Sequence, residues 1–520
     1  MGEDMKKGKK LRNVGRRTIS IFKQIILIII TLALIALQIA LIYGLLFEAA
    51  NIQFLYIFIK VLGFICVVNL IDKEMISSFK IIWIIIILVF PFVGTIFYLF
   101  AGDERTFPKK KSRKVRSYVN TFIPSQKDLK SLKEEDDVLY KHVSVITRGC
   151  DFPYYRNTEV TYFNHIDEKV ERMLEDIKNA KKYIFIEYFI ISSGKLLDNL
   201  IEALTVASSN GVIIKICYDD FGSKTNLKAA DIKRLKAIPN LKLVKFAPLG
   251  FTLNLTVNYR NHRKTLIIDG EIGYMGGDNL ADEYANYITR FGYWRDNGVR
   301  IYGEGVNNLI YMFAETWYLS TKEMLEINDY ISPVKTQDNY VVMPYADGPT
   351  DNRNPAHDLY VSMINNAKDY LYISTPYLII DRDFLNELIM AARSGVDVRI
   401  LVPGIPDKKT VYLMSRSHFG ELLKAGVKIY KYTPGFNHAK NFICDDKYGT
   451  VGSVNVDYRS LYLHFENGLF INDNEIVQEM RKDFEDSLKE SEEITYEVWK
   501  KRPAISKIIE FVLKVFSTLM

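Results

Sequence analysis

The sequence is short of cysteine and histidine. Four cysteines, Cys66, Cys150, Cys217 and Cys444, are scattered over 520 residues with no C-x-x-C pair. That excludes a disulfide framework and a cysteine zinc site, and fits a reducing, cytosol-facing compartment. The seven histidines show no metal-ligand spacing, so neither metal nor cofactor is expected. No recognition-helix or single-strand-binding signature accompanies the basic residues, so nucleic acid is not an expected partner.

Apolar residues make up 48% of the chain, but the excess lies before residue 101. Three apolar stretches, 25–47, 54–71 and 81–100, form a candidate membrane anchor. The first and third reach the ~20 residues a helix needs to cross a bilayer. The middle stretch is shorter and carries Lys60 and Asn69, which makes it the weakest candidate. Pro91 and Gly94 in the third are tolerated by spanning helices.

The net charge is +6, and much of it flanks the anchor. One cluster lies in a basic tail, residues 1–24; the other, from Arg105 to Arg116, opens a charged linker, 101–140. Anionic lipid head groups are the partners such clusters suit, with topology signals the alternative reading. Both should stay cytoplasmic, which requires an even number of crossings. The expected location is therefore a multi-pass anchor in the cell membrane with the rest of the chain on the cytoplasmic side. Residues 501–520 are amphipathic, with Lys507, Glu510 and Lys514 at helical spacing; the segment either lies on a membrane surface or packs on its own domain.

The rest of the chain repeats itself. Asn179 to Glu187 is echoed by Asn366 to Ser374, and Asn210 to Ile216 by Ser394 to Ile400. Each half alternates helix and strand, which predicts an α/β fold of two duplicated lobes, about 141–335 and 336–500. Each lobe would be a mixed β-sheet flanked by helices, and the two would meet along a pseudo-twofold axis.

Both halves carry one motif at identical spacing. His262-x-Lys264 is followed by Asp269 and Gly276-Gly277-x-Asn279; His438-x-Lys440 is followed by Asp445 and Gly452-Ser453-x-Asn455. Two such sets suit one phosphodiester. A neutral imidazole attacks an anionic phosphorus without charge repulsion, and a second, protonated, releases the alkoxide. Lys264, Lys440, Asn279, Asn455, Ser453 and the backbone at Gly277 would hold the non-bridging oxygens. Asp269 and Asp445 complete the set, either in the chemistry or as turn formers at strand ends. Asp296 and Glu466, downstream in their halves, are candidates to orient the imidazoles. The other histidines, His142, His165, His357, His418 and His464, lack this context and read as structural.

The paired motifs resemble those of the phospholipase D superfamily. The apolar anchor, basic linker and two lobes look like its bacterial cardiolipin synthases, as do Ile186-Glu-Tyr-Phe-Ile190, Trp294-Arg-Asp296 and Gly452 to Ser460. One departure is His464, where the family pattern leads us to expect asparagine. The resemblance implies a metal-independent transfer through a phosphohistidine: one histidine attacks phosphatidylglycerol, glycerol leaves, and a second phosphatidylglycerol takes the phosphatidyl group to give cardiolipin. It implies His262 as nucleophile and His438 as acid, although the symmetry of the motifs also allows the reverse. Rival readings are a phospholipase D-type hydrolase, a transferase using another alcohol, a tethered nuclease, and a non-catalytic lipid-binding scaffold.

Overall fold

The computed structural model describes residues 50–73, 77–102, 109–124, 129–248, 259–350 and 353–515. The basic tail and the apolar stretch 25–47 lie outside them. The described residues fall into two compact units, one holding the helices before residue 103 and one everything from residue 109 onward.

In the first unit, the stretch that looked weakest as a span forms the longest helix among the described residues, Ala50–Asp72. Its segment Gln53–Asp72 is the one described helix long and apolar enough to cross a membrane. The third apolar stretch is instead two helices, Ser77–Val89 and Pro91–Ala101. Phe90 between them is non-helical, at φ −123° and ψ 71°. The cause is local: Pro91 cannot donate a backbone hydrogen bond, and its ring pushes the preceding residue out of the helical region. Gly94 lets the two pieces fold back on each other, since a Cβ there would sit 2.3 Å from the Ile86 carbonyl oxygen. Leu70, Trp83, Ile87 and Tyr98 form the small core of this unit.

The described residues of the second unit form two large sheets and two small two-stranded ones. The seven-stranded sheet runs in the order Thr158–Phe163, Gly298–Gly303, Ile272–Gly276, Lys264–Ile268, Tyr183–Tyr188, Ile213–Asp219, Leu241–Phe246. In the eight-stranded sheet, Tyr370–Ser374 lies between Asp397–Pro403, parallel to it, and Asn441–Cys444, antiparallel. In the first sheet Tyr183–Tyr188 has the same neighbours, Ile213–Asp219 and Lys264–Ile268, in the same senses. The duplication in sequence is thus a duplication of topology, with helices such as Ile166–Lys178 and Arg382–Arg393 flanking the sheets.

Asp269 and Asp445 turn out to be structural. Both adopt the left-handed backbone conformation, at φ 56° and 53°. The Asp269 carboxylate accepts from the backbone N–H groups of Lys181, Lys182 and Tyr183 at 2.7–2.9 Å. Asp445 does the same for Lys368, Asp369 and Tyr370 at 2.8–3.0 Å. Each ties the turn after the motif strand to the start of the neighbouring strand. That turn is at the far end of the strand, seven residues from the histidine and ~23 Å away at ~3.3 Å per residue, so neither aspartate joins the chemistry.

One other expectation is revised, and one left open is decided. The charged linker is partly folded: helix Lys109–Asn120 packs on helix Val306–Thr321, burying Val115 and Val119, and the Tyr118 hydroxyl donates to the Leu325 carbonyl at 2.7 Å. Val306–Thr321 is apolar around most of its circumference, as a helix buried on all sides must be. It packs against Leu241–Phe246 of one sheet and Val341–Asp347 of the other. At the C-terminus, helix Ala504–Val515 packs on helix Lys409–Ala425. Its Glu510 is buried between Arg416 and Arg502, at 2.6 and 2.7 Å, while Ile508 and Phe511 are exposed.

Candidate active site

The two motif strands bring their histidines to the seam between the lobes, where short segments pair across it. Tyr293–Arg295 of the first half lies parallel to Gly435–Asn437 of the second. On the other side Asn261 bridges Phe465. The His438 N–H donates to the Arg295 carbonyl at 2.7 Å, and the His262 N–H to the Phe465 carbonyl at 2.8 Å. Arg295 and Phe465 each immediately precede one of the candidate orienting acids. Backbone pairing therefore hands each histidine the acid of the opposite half.

The side chains follow. His262 Nδ1 lies 2.8 and 3.0 Å from the two Glu466 oxygens, and His438 Nδ1 lies 2.6 Å from Asp296 Oδ2. All four groups are buried. A carboxylate on Nδ1 fixes the ring and leaves Nε2 as the reactive nitrogen. Burial pushes the His262 imidazole down to about 3, against the pull of Glu466, and pushes His438 well below its ordinary value. Both rings are therefore neutral near pH 7.

The two acids differ. Although burial opposes its charge, the His262 ring and Lys264 hold Glu466 well below the usual carboxylate range, and the Ser453 hydroxyl also donates to it. Burial pushes Asp296 up to about 6, with Lys440, Lys169 and Lys264 opposing. Its only described hydrogen-bond donors are the Asn297 N–H, at 3.0 Å, and His438. Where the second half has Ser453, the first has Gly277, and a Cβ there would sit 2.3 Å from Asp296 Oδ1. Ser453 and Gly277, expected to contact phosphate, thus support the acids instead.

The lysines close the site. Lys264 Nζ donates to the His262 carbonyl at 2.5 Å, and Lys440 Nζ lies 2.8 Å from His438 Nδ1. Burial lowers them to about 7 and about 8, and each feels both Glu466 and Asp296. That shared field places the two motifs in one electrostatic site. Both amines can turn toward an incoming anion, which would also restore their charge. Asn279 is largely committed elsewhere: its oxygen accepts from the Ile190 N–H at 3.0 Å and its amide donates to the Tyr284 hydroxyl at 2.8 Å. Asn455 is buried with its side-chain oxygen unpartnered.

Sequence reasoning missed several neighbours. Aromatic rings wall the histidines: Phe189 lies 4.9 Å from His262, and Tyr284, Trp294 and Phe436 lie 5.3–5.6 Å from His438. They are dispersed through the chain and carry no spacing signal. Lys169 and Asp278 form a buried ion pair beneath the site. The available clue was a lysine on the apolar side of helix Ile166–Lys178. His464 is not a remote structural histidine. Its ring lies 5.6 Å from that of His262, and its Nδ1 is 3.8 Å from Glu466 Oε1. The departure from the family pattern at that position was the signal.

A family model described as "Cardiolipin synthase, PLD-like domain" matches residues 173–314 and 360–488. The chain belongs to this family. A second model, "Phospholipase_D-nuclease N-terminal", matches residues 61–102. Among relatives, a cardiolipin synthase of Oceanobacillus iheyensis is 34% identical over 468 residues, covering 88% of this chain and 96% of the relative. A cardiolipin synthase of Clostridium perfringens is 34% identical, covering 84% and 93%. Among solved structures, the phosphatidylserine synthase of Haemophilus influenzae Rd KW20 superposes with a TM-score of 0.59 at 15% identity, covering 73% of this chain and all of that one. That likeness shows a shared fold.

Proposed function

We propose that the chain is a cardiolipin synthase that passes a phosphatidyl group from one phosphatidylglycerol to another through a histidine. His262 Nε2 attacks phosphorus, the bond from phosphorus to the glycerol oxygen breaks, and His438 protonates the departing alkoxide. The phosphate anion, entering between Lys264 and Lys440, raises the proton affinity of His438 enough for that role. In the second half, His438 takes the proton from the free hydroxyl of another phosphatidylglycerol. That oxygen attacks the phosphohistidine, the phosphorus–nitrogen bond breaks, and the resting imidazole returns.

Supporting the order of roles, Glu466 holds the Nδ1 proton of His262 firmly and leaves Nε2 as a lone pair, whereas Asp296 and Lys440 both face Nδ1 of His438 and make its protonation easier to change. The aromatic wall helps keep water from the intermediate, which would otherwise end as phosphatidic acid. The carrying observation is the crosswise pairing of each motif histidine with the acid of the other half. Purified protein supplied with phosphatidylglycerol vesicles is expected to yield cardiolipin and free glycerol in equal amounts. Phosphatidic acid as the dominant product would show a hydrolase instead.

We further propose a multi-pass anchor with the catalytic unit in the cytoplasm, where the basic clusters flanking the apolar stretches favour retention. Protease added to inside-out membrane vesicles should then digest the catalytic unit, while intact spheroplasts protect it. Digestion from the spheroplast surface would reverse the orientation.

A further inference from the structure

The neighbourhood of His464 carries a consequence beyond transfer chemistry. One donor atom from each of His262, His464 and Glu466 lies within 4.8 Å of the others. Glu466 Oε1 is 2.8 Å from His262 Nδ1 and 3.8 Å from His464 Nδ1. Neither ring nitrogen of His464 has a hydrogen-bond partner, although its side chain is only 11% exposed. Two imidazoles and one carboxylate, with a fourth position left for solvent, is a donor set that suits zinc. The Ser453 hydroxyl, donating to Oε2, is the kind of outer contact that steadies a ligating carboxylate. Movement of about 1 Å would bring the donors to the spacing of ligands ~2.0–2.2 Å from one ion.

We propose that His262, His464 and Glu466 form a site for a borderline divalent transition metal, represented by Zn²⁺, and that its occupation silences the enzyme. The silencing follows from imidazole chemistry and rests on the reading of His262 as nucleophile. With Nδ1–H donated to Glu466, Nε2 holds the lone pair. With Nδ1 on a metal, the neutral ring carries its proton on Nε2; with Nε2 on the metal, the lone pair is used directly. Either way no lone pair remains to attack phosphorus.

The test uses the purified full chain, stripped of metal, in two arms. In the first, without lipid, it is titrated with Zn²⁺ and bound metal is counted. Wild type should bind one equivalent, and His464→Asn should bind at least tenfold more weakly. In the second, Zn²⁺ should inhibit wild-type transfer reversibly, with chelator restoring the rate. His464→Asn should need at least tenfold more Zn²⁺ for the same fractional loss, relative to its own metal-free rate. His464→Gln, with a melting curve for each variant, guards against a folding defect.

Equal zinc binding by wild type and both variants overturns the site. Binding that depends on His464 but leaves transfer untouched overturns the silencing. Because the first arm needs no turnover, a chain without transferase activity would sink the proposed function and leave the metal site to be judged separately.

Discussion

Replacing His262 or His438 with alanine, one at a time, is expected to lower cardiolipin formation by at least ~10³-fold in each case. A nucleophile that forms a covalent intermediate has no substitute in the site, and a positioned general acid contributes ~10²–10⁴-fold on its own. His438 serves both halves of the reaction, so its loss touches both barriers. The double variant should be scarcely worse than either single one, because the two imidazoles act as a unit on one phosphorus. Cardiolipin is measured by mass spectrometry after incubation with phosphatidylglycerol vesicles. A tenth or more of wild-type activity in either variant would remove that histidine from the reaction, and a scaffold would keep its function in both.

The second large effect comes from the crosswise acids. Glu466→Gln and Asp296→Asn preserve shape but replace a carboxylate that holds an imidazole by its Nδ1 proton; each should cost ~10²–10⁴-fold. Coupling distinguishes crosswise from within-half pairing. Glu466→Gln should add little in a His262→Ala background and Asp296→Asn little in a His438→Ala background, because the partner is already gone.

The pH profile separates the acids further. Asp296 stands at about 6, so its carboxylate is present above that pH and lost as pH falls through it. Wild-type kcat/KM should therefore rise through about pH 6. Glu466 is held well below the usual carboxylate range, so its own limb lies far lower. Asp296→Asn should erase the limb near 6 and Glu466→Gln should leave it in place. A limb unchanged in Asp296→Asn would assign it to another group.

Much of this site is legible in the sequence, and the parts that are not have physical reasons. The repeated His-x-Lys and its glycines announce two copies of one apparatus, because such spacing has no role in packing alone. Asp296 and Glu466 can be picked out, but linear order suggests each serves its own half. Only the pairing of Tyr293–Arg295 with Gly435–Asn437, and of Asn261 with Phe465, exchanges them. Asp269 and Asp445 sit at the same motif position in both copies, yet a repeated turn is as regular in sequence as a repeated reaction.

Phosphate contacts were over-read at Ser453 and Gly277. A hydroxyl and a missing side chain beside a histidine look alike whether they face substrate or a carboxylate. The linker was under-read because Val115 and Val119 stand singly among charged residues; the surface that buries them, helix Val306–Thr321, lies some two hundred residues later in the chain. The break at Pro91 was visible as a proline, but hydropathy alone does not distinguish a tolerated kink from a helix end.

The central claim is that two halves of one chain act on a single phosphorus through a covalent bond to one histidine. The most direct measurement is a rapid quench under alkaline conditions with phosphorus-labelled phosphatidylglycerol, followed by peptide mapping. Label on the peptide carrying His262 in wild type, absent in His262→Ala and persisting longer in His438→Ala, is the predicted result. Cardiolipin forming at full rate with no label on either histidine would contradict it.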